Sequence, residues 1–122
     1  MSGESGSPPP TVVSGVISFE GGVPRFAAAT IYVRLEDVSV LDSPSVVLSQ
    51  QVLQDVRPPD GGRGVPFRVD AGAVDPGRRC NLRVHVDVDG DGRVSAGDFV
   101  TVQSYPVTPG HRTELRVVVR SV

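Results

Sequence analysis

The sequence predicts an all-β protein, a single antiparallel β-sandwich of about seven short strands, and three observations carry that expectation. Short β-branched runs recur along the chain between clusters of Gly, Pro, Asp and Ser, the texture of strands and turns. No segment repeats its apolar residues at helical spacing. Three segments alternate apolar and polar residues strictly, as half-buried strands do. At 122 residues and 12.8 kDa the chain can close one core but not two.

The elements follow in order. Residues 1–10 hold nothing that could anchor a core and end in Pro8-Pro9-Pro10, so they read as a Ser/Gly/Pro-rich tail ahead of a domain over 11–122. Val12–Phe19 is a first strand, closed by the turn Glu20-Gly21-Gly22. Thr30–Val38 is the clearest one, with Ile31, Val33 and Leu35 against Tyr32, Arg34 and Glu36. Ser45–Leu53 and Val65–Val69 are weaker strands joined through Pro59-Asp60-Gly61-Gly62. Asp70–Arg79 aligns too few apolar residues for more than a helical turn and reads as a connection. Asn81–Val88 alternates Leu82, Val84, Val86 and Val88 with Asn81, Arg83, His85 and Asp87, and Glu114–Arg120 alternates through Leu115, Val117 and Val119. Between them lies a weaker strand, Phe99–Tyr105. Pro66 and Pro106 fall near strand ends, which suggests edge or terminal positions, where a missing N–H does least harm.

Composition excludes several function classes. A net charge of -2 and a pI near 5.6 give no basic footprint for nucleic acid. No apolar run approaches the roughly 18 residues of a membrane helix. Met1–Pro10 lacks the basic start and apolar middle of a signal peptide. A cytosolic location is therefore expected if Met1 is the native start, and a cell-envelope or extracellular one if a leader has been removed. Cys80, the single cysteine, can form no internal disulfide, and all 12 basic residues are Arg.

One segment carries site chemistry, Asp87 to Asp98. It matches the twelve-residue calcium loop position by position: side-chain oxygens from Asp87, Asp89, Asp91, Ser95 and Asp98, the Arg93 carbonyl at position 7, and Gly92 at the sharp turn. Val94 and Phe99 are the expected apolar anchors. The loop resembles EF-hand and dockerin loops, with Asp98 in place of the usual Glu, and strands rather than helices flank it. Asp-Gly-Asp-Gly is also good hairpin chemistry. Against a bare turn, four acidic residues converge, and two carboxylates about 5 Å apart repel by roughly 0.8 kcal/mol even in water. The expectation is one Ca2+ bound by Asp87, Asp89, Asp91, Arg93, Ser95 and Asp98, tying two strand ends together.

Other candidates yield no site. His85 and Asp87 share a strand face, where a polar outer surface is the expected reading over acid–base work. His111 follows Pro109-Gly110 in a turn without an identifiable partner. Cys80 stands beside Arg78 and Arg79, which would lower its pKa, but no motif pairs it with a catalytic His. Gly61–Gly64 lacks the Lys-Ser/Thr and helix of a phosphate cradle. No hydrolase or metalloprotease motif occurs, and no enzyme is expected.

From about Val12 to Val107 the order of motifs resembles the YbaY/YscW group of pilotin-like bacterial lipoproteins. The resemblance rests on Val13-Ser14-Gly15-Val16-Ile17, on Ile31-Tyr32-Val33-Arg34-Leu35-Glu36-Asp37-Val38-Ser39, on Pro66-Phe67, and on the Arg79–Val86 strand. It implies a small β-sandwich acting without catalysis, and for type III secretion members a chaperone or pilot role for an outer-membrane secretin. The leading functional expectation is a non-enzymatic calcium-binding module of the cell envelope or surface that presents its sandwich to a protein partner. The first alternative is a pilotin-like chaperone in which the metal is incidental. A small hydrolase using His85 is a second, with no sequence feature in its favour.

Overall fold

Eight strands form: β1 (Thr11–Phe19), β2 (Ala29–Asp37), β3 (Val46–Val56), β4 (Val65–Gly72), β5 (Cys80–Asp87), β6 (Phe99–Thr101), β7 (Pro106–Val107) and β8 (Arg112–Ser121). The computed structural model describes residues 8–40, 42–59 and 63–122. Residues 1–7 of the expected tail, and Asp60–Gly62 of the turn before β4, lie outside the described residues.

The alternation read in the sequence decides which side of each strand is buried. Ile31, Val33 and Leu35 of β2 stand opposite Val86, Val84 and Leu82 of β5 in an antiparallel register, and all six are fully buried. Val13, Ile17, Phe67, Val69, Val117 and Val119 complete the interior from β1, β4 and β8. Each such side chain contributes about 1.5–3 kcal/mol on burial, which makes this β-branched lining the main support of a chain without a disulfide.

The two-sheet sandwich is corrected. The strands form one sheet in the order β3-β2-β5-β6-β8-β1-β4, with β7 attached to β5, and this sheet curls until its two ends meet as a nearly closed barrel. β3 and β4 meet across a seam that side chains bridge. Ser49 Oγ donates to the Asp70 carbonyl at 3.0 Å, and the Arg68 amide donates to Gln51 Oε1 at 2.8 Å. Pro66 sits on β4, at the end of the strand order, as its missing donor requires.

Nor is the sheet wholly antiparallel, because β1 runs parallel to β8, from Val12 opposite Arg112 to Phe19 opposite Val119. Gly15 permits this contact: a Cβ there would lie 1.8 Å from the Leu115 carbonyl oxygen. Alternation within each strand carries no information about such a pairing.

The expected strand Phe99–Tyr105 is cut short to β6, since residues 102–105 leave the ladder, and β7 follows just beyond it. Tyr105 accounts for the break. It turns into the core; its amide donates to Asn81 Oδ1 at 2.7 Å, its carbonyl accepts from Leu82 N at 2.9 Å, and its hydroxyl oxygen accepts from Val118 N at 2.8 Å. Tyr105→Phe leaves the Val118 amide without that acceptor. The expected cost is about 1–3 kcal/mol, read as a lower midpoint in denaturant with an unchanged slope.

Candidate functional site

β5 ends at Asp87, the first residue of the acidic loop. The Asp87 carboxylate caps the loop's entry, Oδ1 accepting from Gly90 N at 3.0 Å and Oδ2 from Gly92 N at 2.8 Å. Gly90, Gly92 and Gly97 take φ of 75°, 76° and 96°, a region that glycine enters at little cost. Asp91 Oδ1 accepts from Arg93 N at 2.9 Å, and Asp89 Oδ2 accepts from Ser95 Oγ at 2.8 Å. The Ser95 hydroxyl is the largest of the causes holding the Asp89 carboxyl below its ordinary value.

Asp98 closes the loop from the other side. Its Oδ1 accepts from Val88 N at 2.9 Å, its Oδ2 accepts from Ser95 N at 3.2 Å, and the same Oδ2 lies 2.8 Å from His85 Nε2. Asp87, Asp89, Asp91 and Asp98 each offer an oxygen within 4.8 Å of the others, and His85, Asp87 and Asp98 form a second such group. The structure thus brings together the four carboxylates predicted from spacing. Ser95 joins them through Asp89, and Arg93 meets Asp91 through its amide. Of the expected anchors only Phe99 holds: it packs edge-on against Phe19 at 5.0 Å between ring centroids. Val94 is 56% exposed and anchors nothing.

His85 corrects the expectation of a wet outer face. Alternation does turn it outward, but the loop folds back over it and leaves it 5% exposed, stacked on Tyr32 at 5.7 Å and bonded to Asp98. His111 lies in an exposed turn. Cys80 is buried, and burial pushes its thiol up, with the Asp37 carboxylate adding to that and Arg78 opposing it. This reverses the activation expected from the neighbouring arginines.

A second cluster stands where β2 ends. Asp37 accepts from the Ser39 hydroxyl and amide and pairs with Arg78. These contacts hold its carboxyl below the ordinary 3.8, the Ser39 hydroxyl being the largest cause. A carboxyl lowered on folding stabilises the folded state above its unfolded value, and that contribution is lost as pH falls through the folded value. The difference in melting temperature between the wild type and Asp37→Asn is therefore expected to be constant above pH 5 and to vanish as pH falls below the lowered Asp37 value. Melts across that range check it.

Outside the acidic loop, a cavity of about 630 Å3 lies beside β5 and β7, walled by Arg78, Arg79, Cys80 and Pro106 among others. A neighbouring one of about 530 Å3 opens on the outer face of β5 and β6, beside Arg34, Arg83 and Val102. Sequence reasoning missed both, since their walls come from strands distant in the chain. The available signal was the pair of outward arginines, Arg34 and Arg83, on the two strongest strands.

One curled sheet thus makes up the body of a small all-β protein, with its polar clusters and cavities on the outer face. The chain belongs to the YscW family of type III secretion system lipoprotein chaperones, whose model matches residues 8–119. It is similar in fold to an alternative pilotin from the type II secretion system of Vibrio cholerae, with a TM-score of 0.70 and 19% sequence identity over 93% of this chain and 97% of that one. No curated protein matches the sequence.

Family membership overturns the leading expectation of a calcium-binding module as the protein's function. Within the loop all four carboxylates accept hydrogen bonds from the chain itself, as a tight Asp-Gly turn does with or without a bound ion.

Proposed function

We propose that this protein is a pilotin-like chaperone that binds an outer-membrane secretion protein of the secretin type and acts by holding it, without catalysis. The family match over residues 8–119 carries this reading, and the likeness in fold to a type II pilotin supports it. The buried thiol and the buried His85, whose Nε2 is bonded to Asp98, are consistent with a binding role.

The test is co-purification of the tagged protein from its source cell, with secretin multimers quantified in cells lacking the protein. Recovery of a secretin, together with its loss as assembled multimer in the deletion strain, is the expected result. Recovery of cytosolic partners alone, with multimers unchanged, overturns the proposal.

The ligand set at the loop is a separate proposal about structure alone. Ca2+ held by Asp87, Asp89, Asp91, the Arg93 carbonyl, Ser95 and Asp98 would raise the melting temperature of chelator-stripped protein as mass action requires. An unchanged melt at millimolar Ca2+ reduces the loop to a turn.

A further inference from the structure

We propose that the two outer-face cavities along β5 are one trough, and that it docks an extended polypeptide segment of the partner in which carboxylates alternate with apolar side chains. This rests on the chaperone reading and adds to it the surface used and the chemistry recognised. The cavities, of about 630 and 530 Å3, share the lining residues Asn81, Arg83 and Ser104, so they adjoin end to end where residues 102–105 leave the sheet.

The charge of this surface runs against that of the chain. Four arginines, Arg34, Arg78, Arg79 and Arg83, and one carboxylate, Glu36, line it, on a protein of net charge -2. Two of the four are matched within the fold, Arg78 by Asp37 and Arg83 by Glu36 at 3.4 Å. Arg34 and Arg79 have no ionic partner among the described residues. Arg34 lies over the Tyr32 ring at 4.7 Å and donates to Gln50 Oε1 at 3.1 Å, both neutral groups, which hold its guanidinium in place without discharging it.

The register makes the placement costly to the fold. Arg34 stands directly opposite Arg83 across β2 and β5, and like charges in that position destabilise a sheet. Glu36 offsets this on the Arg83 side only, a bound carboxylate at Arg34 would offset it on the other, and the planar guanidinium fork suits carboxylate geometry.

Apolar groups sit beside these cations. Val94 and Val102 are 56% and 55% exposed on one cavity wall, and Val38 and Pro106 line the other cavity. On an extended segment successive residues point to opposite sides, so alternation would give the occupant one acidic side for the arginines and one apolar side for the exposed valines. A nucleic acid fits it poorly, since two unmatched arginines on a net negative protein give little purchase on a polyanion.

The test uses the whole protein and a fluorescein-labelled heptapeptide of alternating leucine and glutamate, with its leucine–glutamine counterpart as control, read by fluorescence anisotropy. The variants are Arg34→Gln with Arg79→Glu, and separately Val102→Ser, all at exposed or half-exposed positions; thermal melts verify that they remain folded. The expected result is saturable, salt-sensitive binding of the acidic peptide, weakened at least tenfold by the double substitution and several-fold by Val102→Ser. Equal binding of the glutamine peptide, or acidic binding untouched by the double substitution, overturns the proposal. So does a requirement for these arginines in binding phosphatidylglycerol vesicles or in self-association, with no effect on peptide binding. In the source cell, a secretin that co-purifies equally with wild type and double variant removes the trough and leaves the chaperone function standing. A secretin recovered with neither removes the function.

Discussion

Gly15→Ala is expected to prevent cooperative folding, or to lower the melting temperature by roughly 10 °C or more if a folded form survives. An added Cβ would lie 1.8 Å from the Leu115 carbonyl oxygen and 2.8 Å from its carbon, both backbone atoms that no rotamer change can move. Relief requires β1 and β8 to separate, and their parallel register runs without a break from Val12 to Phe19. Val13 and Ile17 on β1, and Val117 and Val119 on β8, are fully buried, so separation opens the core itself. The cost is about 3 kcal/mol or more, above the usual range for overpacking because the obstacle is backbone. Gly21→Ala is the control: its added Cβ meets nothing within 4 Å, and its φ of 91° leaves only local strain, so a drop of about 1–2 kcal/mol is expected. Thermal and denaturant melts of the two variants compare these effects. Equal stability in both would show that the β1–β8 contact is looser than described.

Asp98→Ala carries the next largest effect, about 3–5 kcal/mol, the range for removing one partner of a buried charged or hydrogen-bonded pair. The side chain is 1% exposed and serves Val88 N, Ser95 N and His85 Nε2 together. Its loss leaves those groups without an acceptor and frees the loop's hold on the outer face of β5. Asp98→Asn, which keeps one carbonyl oxygen, is expected to lose less. Melts in chelator and in Ca2+ separate two roles for the residue. A destabilisation of equal size in both conditions marks Asp98 as a tie within the fold, and one that appears only in Ca2+ marks it as a ligand. Hydrogen exchange over 88–98 is expected to rise in Asp98→Ala in either case, because the donors it releases are loop amides.

The acidic loop was legible because its information is local. Carboxylates at fixed spacing, with Gly90 and Gly92 between them, specify a tight turn lined with oxygens, and the four carboxylates do meet within 4.8 Å. The loop's part in the protein's function was not legible, because oxygen spacing cannot tell a turn that hydrogen-bonds itself from one that needs an ion. Val94 shows the same limit. An apolar residue at position 8 suggests an anchor, but here it faces solvent on the wall of the trough.

Period-two alternation in the sequence was enough to assign the strands and the inward residues of β2, β5 and β8, since side-chain direction along a strand depends only on the parity of the position. Gly and Pro marked the turn after β1 and the connection before β4, because they act through their own φ and their own missing atoms. Which strands become neighbours is a property of residues far apart in sequence, and only the tertiary structure decided it. That level set the single curled sheet in place of a sandwich, the parallel pairing of β1 with β8, the inward turn of Tyr105 that splits β6 from β7, and the burial of an outward-facing His85. It also set Arg34 opposite Arg83. Each of the two strands shows an unremarkable outward arginine in sequence, and the repulsion between them exists only once the register is fixed.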